Sequence, residues 1–104
     1  MTISYVIPTL NSAKTLNKTL LSLRSQEQFK IDITVVDSGS EDGTLDICNK
    51  WQVKVLYCKP GNMYEAVNLG LRQCTTPWVA YLNSDDWLYP DATKRLITLG
   101  NTEE

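Results

Sequence analysis

The sequence predicts an α/β protein: a Rossmann-like, three-layer α/β/α arrangement on a mostly parallel sheet of at least four strands. Two patterns carry that expectation. Four short apolar runs alternate with four segments of helical periodicity, the order that βαβ units impose. Polar residues then collect where the apolar runs end: Thr9 and Asn11, then Asp37 and Ser38, then Asn83, Asp85 and Asp86. With 104 residues and no repeat, low-complexity tract or linker, residues 1–104 read as a single domain.

Each element has its own signal. Ser4 to Pro8 (SYVIP) is an apolar run closed by proline, which suits a buried strand. Asn11 or Ser12 can cap the helix that follows, from about Ser12 to Gln26, where Leu16, Leu20 and Leu23 recur at i, i+4, i+7. Ile31 to Asp37 (IDITVVD) is rich in β-branched residues and reads as a second strand. SGSEDG forms a polar loop, and Thr44 to Trp51 is a short helix carrying Leu45, Cys48 and Trp51. Val53 to Cys58 alternates into strand three, and Lys59 to Asn62 has loop chemistry. Met63, Ala66, Val67, Gly70, Leu71 and Cys74 share one face of a helix over 63–74. Pro77 to Leu82 is strand four and Asn83 to Asp86 a polar loop at its end. Pro90 fits a first helical turn, and Ala92, Leu96 and Leu99 continue that helix to Gly100.

Composition removes whole classes of function. Ten Lys plus Arg against twelve Asp plus Glu give a net charge of −2, which argues against nucleic acid as a partner, since a phosphate-backbone binder needs a basic face. There is no histidine, so every His-based triad or dyad and most zinc sites fall away. Three cysteines without CxxC spacing fit reduced thiols better than a disulfide framework. No run approaches the roughly 18 apolar residues of a membrane span, and MTISYVIPTL lacks the n- and h-regions of a signal peptide. The expected location is the cytoplasm or the inner face of the membrane.

In open α/β sheets ligands bind beyond the carboxyl ends of the strands, where strand order reverses. The polar cluster falls there, with no comparable cluster expected at the opposite ends. Asp85 and Asp86 are either a solvated turn ahead of Trp87 or ligands of Mg²⁺ or Mn²⁺, hard cations that keep waters and bridge phosphates. Asp37 closes the apolar strand VVD, and either caps the Ser38–Gly43 turn or accepts a hydrogen bond from a ligand. Neither GxGxxG nor GxxxxGK[ST] is present. Trp51, Trp78 and Trp87 read as core or rim aromatics, and Cys48 and Cys74 as packing residues.

Taken together, the segments resemble a family. YVIPTLNSAKTLNKTLLSLRSQ looks like the opening of family 2 glycosyltransferases of the GT-A fold. VVDSGSEDGT is similar to the family's second block, usually VDDGSTDGT. GNMYEAVNLGL and WVAYLNSDDWLYP resemble its third, whose aspartates form the "DXD" metal motif; the "LNSDD" subset matches best. The likeness runs in order over nearly all of residues 3–99. It implies a nucleotide-diphospho-sugar donor, often a UDP-sugar, and a divalent metal, Mn²⁺ or Mg²⁺. Pro8, Thr9 and Asn11 would line the nucleoside pocket, and Asp37 would contact the base with Ser38 beside it. Asn83, Asp85 and Asp86 would meet ribose, diphosphate and metal, with Asp85 and Asp86 the metal ligands.

Three departures stand out. Ser38 replaces the second acid of VDD, and Asn83 replaces the first acid of DXD. Family members usually continue well past this length into an acceptor site, for a glycan or lipid-linked acceptor, with an acidic base in an "ED" motif. The chain therefore reads as a truncated, donor-binding half whose catalytic residues are unknown. Glu65 could be proposed as base but suits a solvated helix position better. An alternative is a non-catalytic nucleotide-sugar-binding or interaction remnant. A receiver-like phosphoacceptor domain would need paired acids after strand one, where Thr-Leu-Asn stands instead. The uncovered edge of strand four, with Trp78, Val79 and Tyr81, makes a homo-oligomer through that edge or its flanking helices an expected partner.

Overall fold

The computed structural model describes the backbone of residues 2–102 and the side chains of residues 2–98. Its elements run β1 (Thr2–Thr9), α1 (Ala13–Arg24), β2 (Lys30–Asp37), α2 (Thr44–Trp51), β3 (Lys54–Tyr57), α3 (Met63–Gln73), β4 (Trp78–Tyr81) and α4 (Ala92–Thr102). The strands pair in the order β3-β2-β1-β4, and all three pairings are parallel. From β1 the chain moves outward to β2 and β3, then crosses back to lay β4 on the other side of β1. The order therefore reverses between β1 and β4. This is the three-layer α/β architecture that the alternation predicts.

Strand alternation divides the core into two layers. Ile3, Tyr5 and Ile7 of β1 pack with Ile33 and Val35 of β2 against Leu16, Leu20 and Leu23 of α1, Cys48 of α2 and Ile97 of α4. Val6 and Val36 face the other way, onto Ala66 of α3. Gly70 is what lets α3 approach. A Cβ there would lie 2.4 Å from Val6 Cγ1 and 3.1 Å from Val36 Cγ2. β4 is a short edge strand, with Trp78 and Ala80 against the first layer and Val79 and Tyr81 exposed on the second.

Most boundaries lie within two residues of the sequence expectation, and two differ for identifiable reasons. Ser12 holds the N-cap position of α1 but makes no side-chain cap. The Asp42 carboxylate accepts from Ala13 N at 3.1 Å instead, so the SGSEDG loop caps α1 from across the sheet. Pro90 stands outside α4, in a turn closed by Ala92 N donating to Tyr89 O at 3.0 Å. A fixed proline φ suits that turn as well as a first helical turn. Leu99, placed on the apolar face of α4 by its spacing, lies outside the described side chains.

Candidate functional site

Three loops meet at the carboxyl ends of β1, β2 and β4, and local chemistry holds each one. After β1, Asn11 adopts the left-handed φ of 51°, which asparagine tolerates better than most residues. Its Oδ1 accepts from Glu41 N, and its N–H donates to Ser40 Oγ, both at 2.8 Å. The first and second loops are thus tied together. Ser12 N donates to Thr44 Oγ1 at 2.8 Å as a further tie.

Asp37 organises the second loop. Its carboxylate is 1% exposed. Oδ1 accepts from Thr9 Oγ1 at 2.7 Å and Ser40 Oγ at 2.6 Å, and Oδ2 accepts from Gly39 N at 3.0 Å and Ser40 N at 2.8 Å. Four donors fill the lone pairs of a carboxylate. Burial alone would raise its pKa, but the bonds from Ser40, Thr9 and Gly39 outweigh this and hold it below the ordinary carboxylate value. Gly39 supplies the φ of +99° that turns the chain back over the carboxylate. Of the two roles the sequence allows Asp37, the structure shows the turn cap.

The third loop carries the acids. Asn83 to Asp86 is a turn closed by Asp86 N donating to Asn83 O at 3.0 Å. Ser84 Oγ lies 2.7 Å from Ser12 Oγ, which ties this loop to the first. Asp85 and Asp86 are exposed, and among the described residues no hydrogen bond or ion pair engages either carboxylate. Asn62 caps α3 through its Oδ1, which accepts from Tyr64 N and Glu65 N and fixes the fourth side of the site.

Between these loops lies a cavity of about 610 Å³. Pro8, Thr9, Asn11, Ser38, Asn83 and Asp85 line it, and so do Ser12, Thr15, Ser84 and the Gly61–Met63 start of α3. Asp37 and Asp86 are not part of the lining, and neither is the exposed Glu65. Sequence reasoning missed Ser84, Thr15 and the Asn62 corner. A serine between larger signals and a threonine on a helix flank carry no pattern of their own; Asn62 before an amphipathic run is an N-cap signal that places the corner.

Among the described residues Asp85 is the sole ionisable group in the lining, and no Lys or Arg lines it. The donors there are oxygen atoms of a carboxylate, amides and hydroxyls, a set that suits Mg²⁺ or Mn²⁺. No group of three or more His, Cys, Asp or Glu gathers among the described residues, so such a cation would take its other ligands from water and from a bound anion. A second groove corrects one expectation. The opposite strand ends are not bare: a space of about 440 Å³ there is lined by residues including Arg24, Lys30, Asp32 and Lys54. No described helix is long and apolar enough to cross a membrane.

The glycosyl transferase family 2 pattern matches residues 4–103. The chain belongs to that family. A Mycoplasma pneumoniae protein described as an uncharacterized glycosyltransferase is 34% identical over 109 residues, covering 95% of this chain and 36% of its own length. Among solved structures, S. aureus TarS in complex with UDP-GlcNAc superposes with a TM-score of 0.78 at 27% identity, covering 98% of this chain and 32% of TarS 1–349. Glucosyl-3-phosphoglycerate synthase from Mycobacterium tuberculosis, solved with Mn²⁺, UDP and glucosyl-3-phosphoglycerate, has a TM-score of 0.68 at 26% identity, covering 80% of this chain and 33% of that one. This family 2 chain therefore spans about a third of the length of the relatives it matches.

Proposed function

We propose that the chain is the donor-binding part of a glycosyltransferase, holding a nucleotide-diphospho-sugar, a UDP-sugar, in the cavity between β1 and β4. The observation that carries this is the lining. Pro8, Thr9, Asn11 and Ser38 offer a neutral wall with amide and hydroxyl groups at one side, and Asp85 stands at the other. A diphosphate entering there meets a carboxylate and no cation of the protein, so Coulomb repulsion disfavours it until a divalent ion joins the two. Asp85 and Asp86 would hold that ion, which when bound offsets charge on a departing diphosphate. The relatives solved with UDP, UDP-GlcNAc or Mn²⁺ support the same ligand class.

Among the described residues no carboxylate besides Asp85 lines the cavity, so the lining lacks the second acid that an inverting transfer needs to deprotonate its acceptor. This chain by itself binds donor and does not transfer the sugar to a glycan or lipid-linked acceptor. Calorimetric titration of UDP tests the binding half, with Mn²⁺ and then with EDTA. Binding that the metal tightens is the expected result, and affinity unchanged by EDTA would refute the site. An assay of UDP release with candidate acceptors tests the other half, and sustained turnover by these residues alone would overturn it.

A further inference from the structure

We propose that Thr15 and Thr19 are positioning residues that set the Asn83–Asp86 turn and so aim the two candidate metal ligands. The inference rests on the donor-site reading above. Thr15 and Thr19 stand one turn apart on α1, on the flank that faces the loop leaving β4. Thr15 Oγ1 lies 2.7 Å from Ser84 O. Thr19 Oγ1 lies 2.6 Å from Asp86 O and 2.9 Å from Ser84 O. A hydroxyl has one proton to donate, so the shortest contacts pair Thr15 with Ser84 and Thr19 with Asp86.

The consequence is geometric. The Ser84 carbonyl orients the peptide plane before Asp85, and the bond from Asp86 N to Asn83 O orients the plane after it. The Asp86 carbonyl orients the next plane. With those planes fixed, the Cα–Cβ directions of Asp85 and Asp86 are fixed too. Among the described residues no hydrogen bond or ion pair holds the carboxylates, so their aim comes from the backbone. Thr19 is 1% exposed, whereas an ordinary threonine on a polar helix flank would face water. Gln26 extends the same row: its Nε2 donates to Tyr89 O at 2.9 Å and ties down the far end of the segment.

The test compares Thr19→Val, Thr19→Ser, Thr15→Val and Asp85→Asn with the parent chain. Two readouts are used: Mn²⁺ affinity in the presence of UDP, and amide hydrogen exchange over residues 84–87 without ligand. Valine keeps the shape of threonine and removes the donor. Thr19→Val should weaken Mn²⁺ binding about 10-fold, as losing an orienting partner of a ligand does, and speed exchange at Asp86, whose N–H donates to Asn83 O. UDP affinity in EDTA should stay as it was, and Thr19→Ser should restore both readouts. Equal losses with and without metal, or failure of serine to rescue, would overturn the proposal. If Thr19→Val does not fold, Thr15→Val at the half-buried neighbour should likewise weaken Mn²⁺ binding and speed exchange at Asp86, with Thr15→Ser restoring both. An Asp85→Asn chain that binds Mn²⁺ and UDP normally would sink the donor-site reading instead. In that case exchange over 84–87 still decides whether the threonines hold the turn.

Discussion

Gly70→Ala adds one carbon where α3 packs directly on β1 and β2. Alanine should help locally, because replacing a helical glycine gains about 1 kcal/mol of propensity. The packing opposes it. The new methyl would sit 2.4 Å from Val6 Cγ1 and 3.0 Å from Val6 Cγ2, with Val36 Cγ2 at 3.1 Å. Both valines are 0% exposed, and β-branched side chains in strands have few rotamers to move into. Reaching an ordinary carbon–carbon contact requires α3 to shift by roughly 1 Å. Overpacking of this kind costs about 3 kcal/mol at the upper end, which leaves a net loss of about 2 kcal/mol after the propensity gain. For a domain this size, that lowers Tm by about 10 °C. Urea and thermal unfolding of Gly70→Ala measure it. Val6→Ala removes both clashing methyls, so the double variant should lose less than the two single losses added together. A Gly70→Ala chain more stable than the parent would refute this picture of the α3–β1 contact.

Other outcomes follow from the same contacts. Asp37→Asn replaces one of two acceptor oxygens with an NH₂ donor, so either the Thr9 and Ser40 hydroxyls or the Gly39 and Ser40 N–H groups lose their acceptor, and it should cost about 2 kcal/mol in urea unfolding. Because the folded-state pKa of Asp37 lies below its unfolded value, its contribution is present above about pH 4 and is lost as pH falls below that; a flat acid limb would contradict this. Burial, with the Asp37 carboxylate as second cause, pushes the Cys48 thiol up to about 11. An unfolded thiol ionises near about 8.5, so stability should fall as pH rises from there through 11, and Cys48→Ala should flatten that limb. The open edge of β4, with Val79 44% and Tyr81 51% exposed, is expected to pair copies of the chain. Light scattering should show mass rising with concentration, and Tyr81→Lys should return the monomer.

The fold was legible because its signals are local. VVD in β2 and the leucine spacing of α1 each point to one conformation, and α2 occupies the Thr44–Trp51 span its pattern indicates. The site was legible as a place, since a parallel sheet with a strand-order reversal puts its ligand crevice at known strand ends. What each residue does there depended on partners distant in sequence. Asp37 accepts from Thr9, 28 residues earlier, and α1 is capped by Asp42, 29 residues after Ala13. Thr15, Thr19 and Gln26 form a polar row that sequence alone cannot tell from a solvated face; only the path of residues 84–89 along α1 shows their use. Gly70 likewise looks like a weak point in a helix until Val6 is seen beneath it.

The most direct measurement is an amide chemical-shift map of the ¹⁵N-labelled chain titrated with UDP and Mg²⁺, repeated in EDTA. Shifts should concentrate at Thr9, Asn11, Ser38 and Asn83 to Asp85, and those at Asn83 to Asp85 should vanish without the metal. The groove at the opposite strand ends offers the sharpest contrast, because Arg24, Lys30 and Lys54 could attract an anion with no metal at all. Metal-independent shifts confined to Lys30, Asp32 and Lys54 would contradict a donor site between β1 and β4.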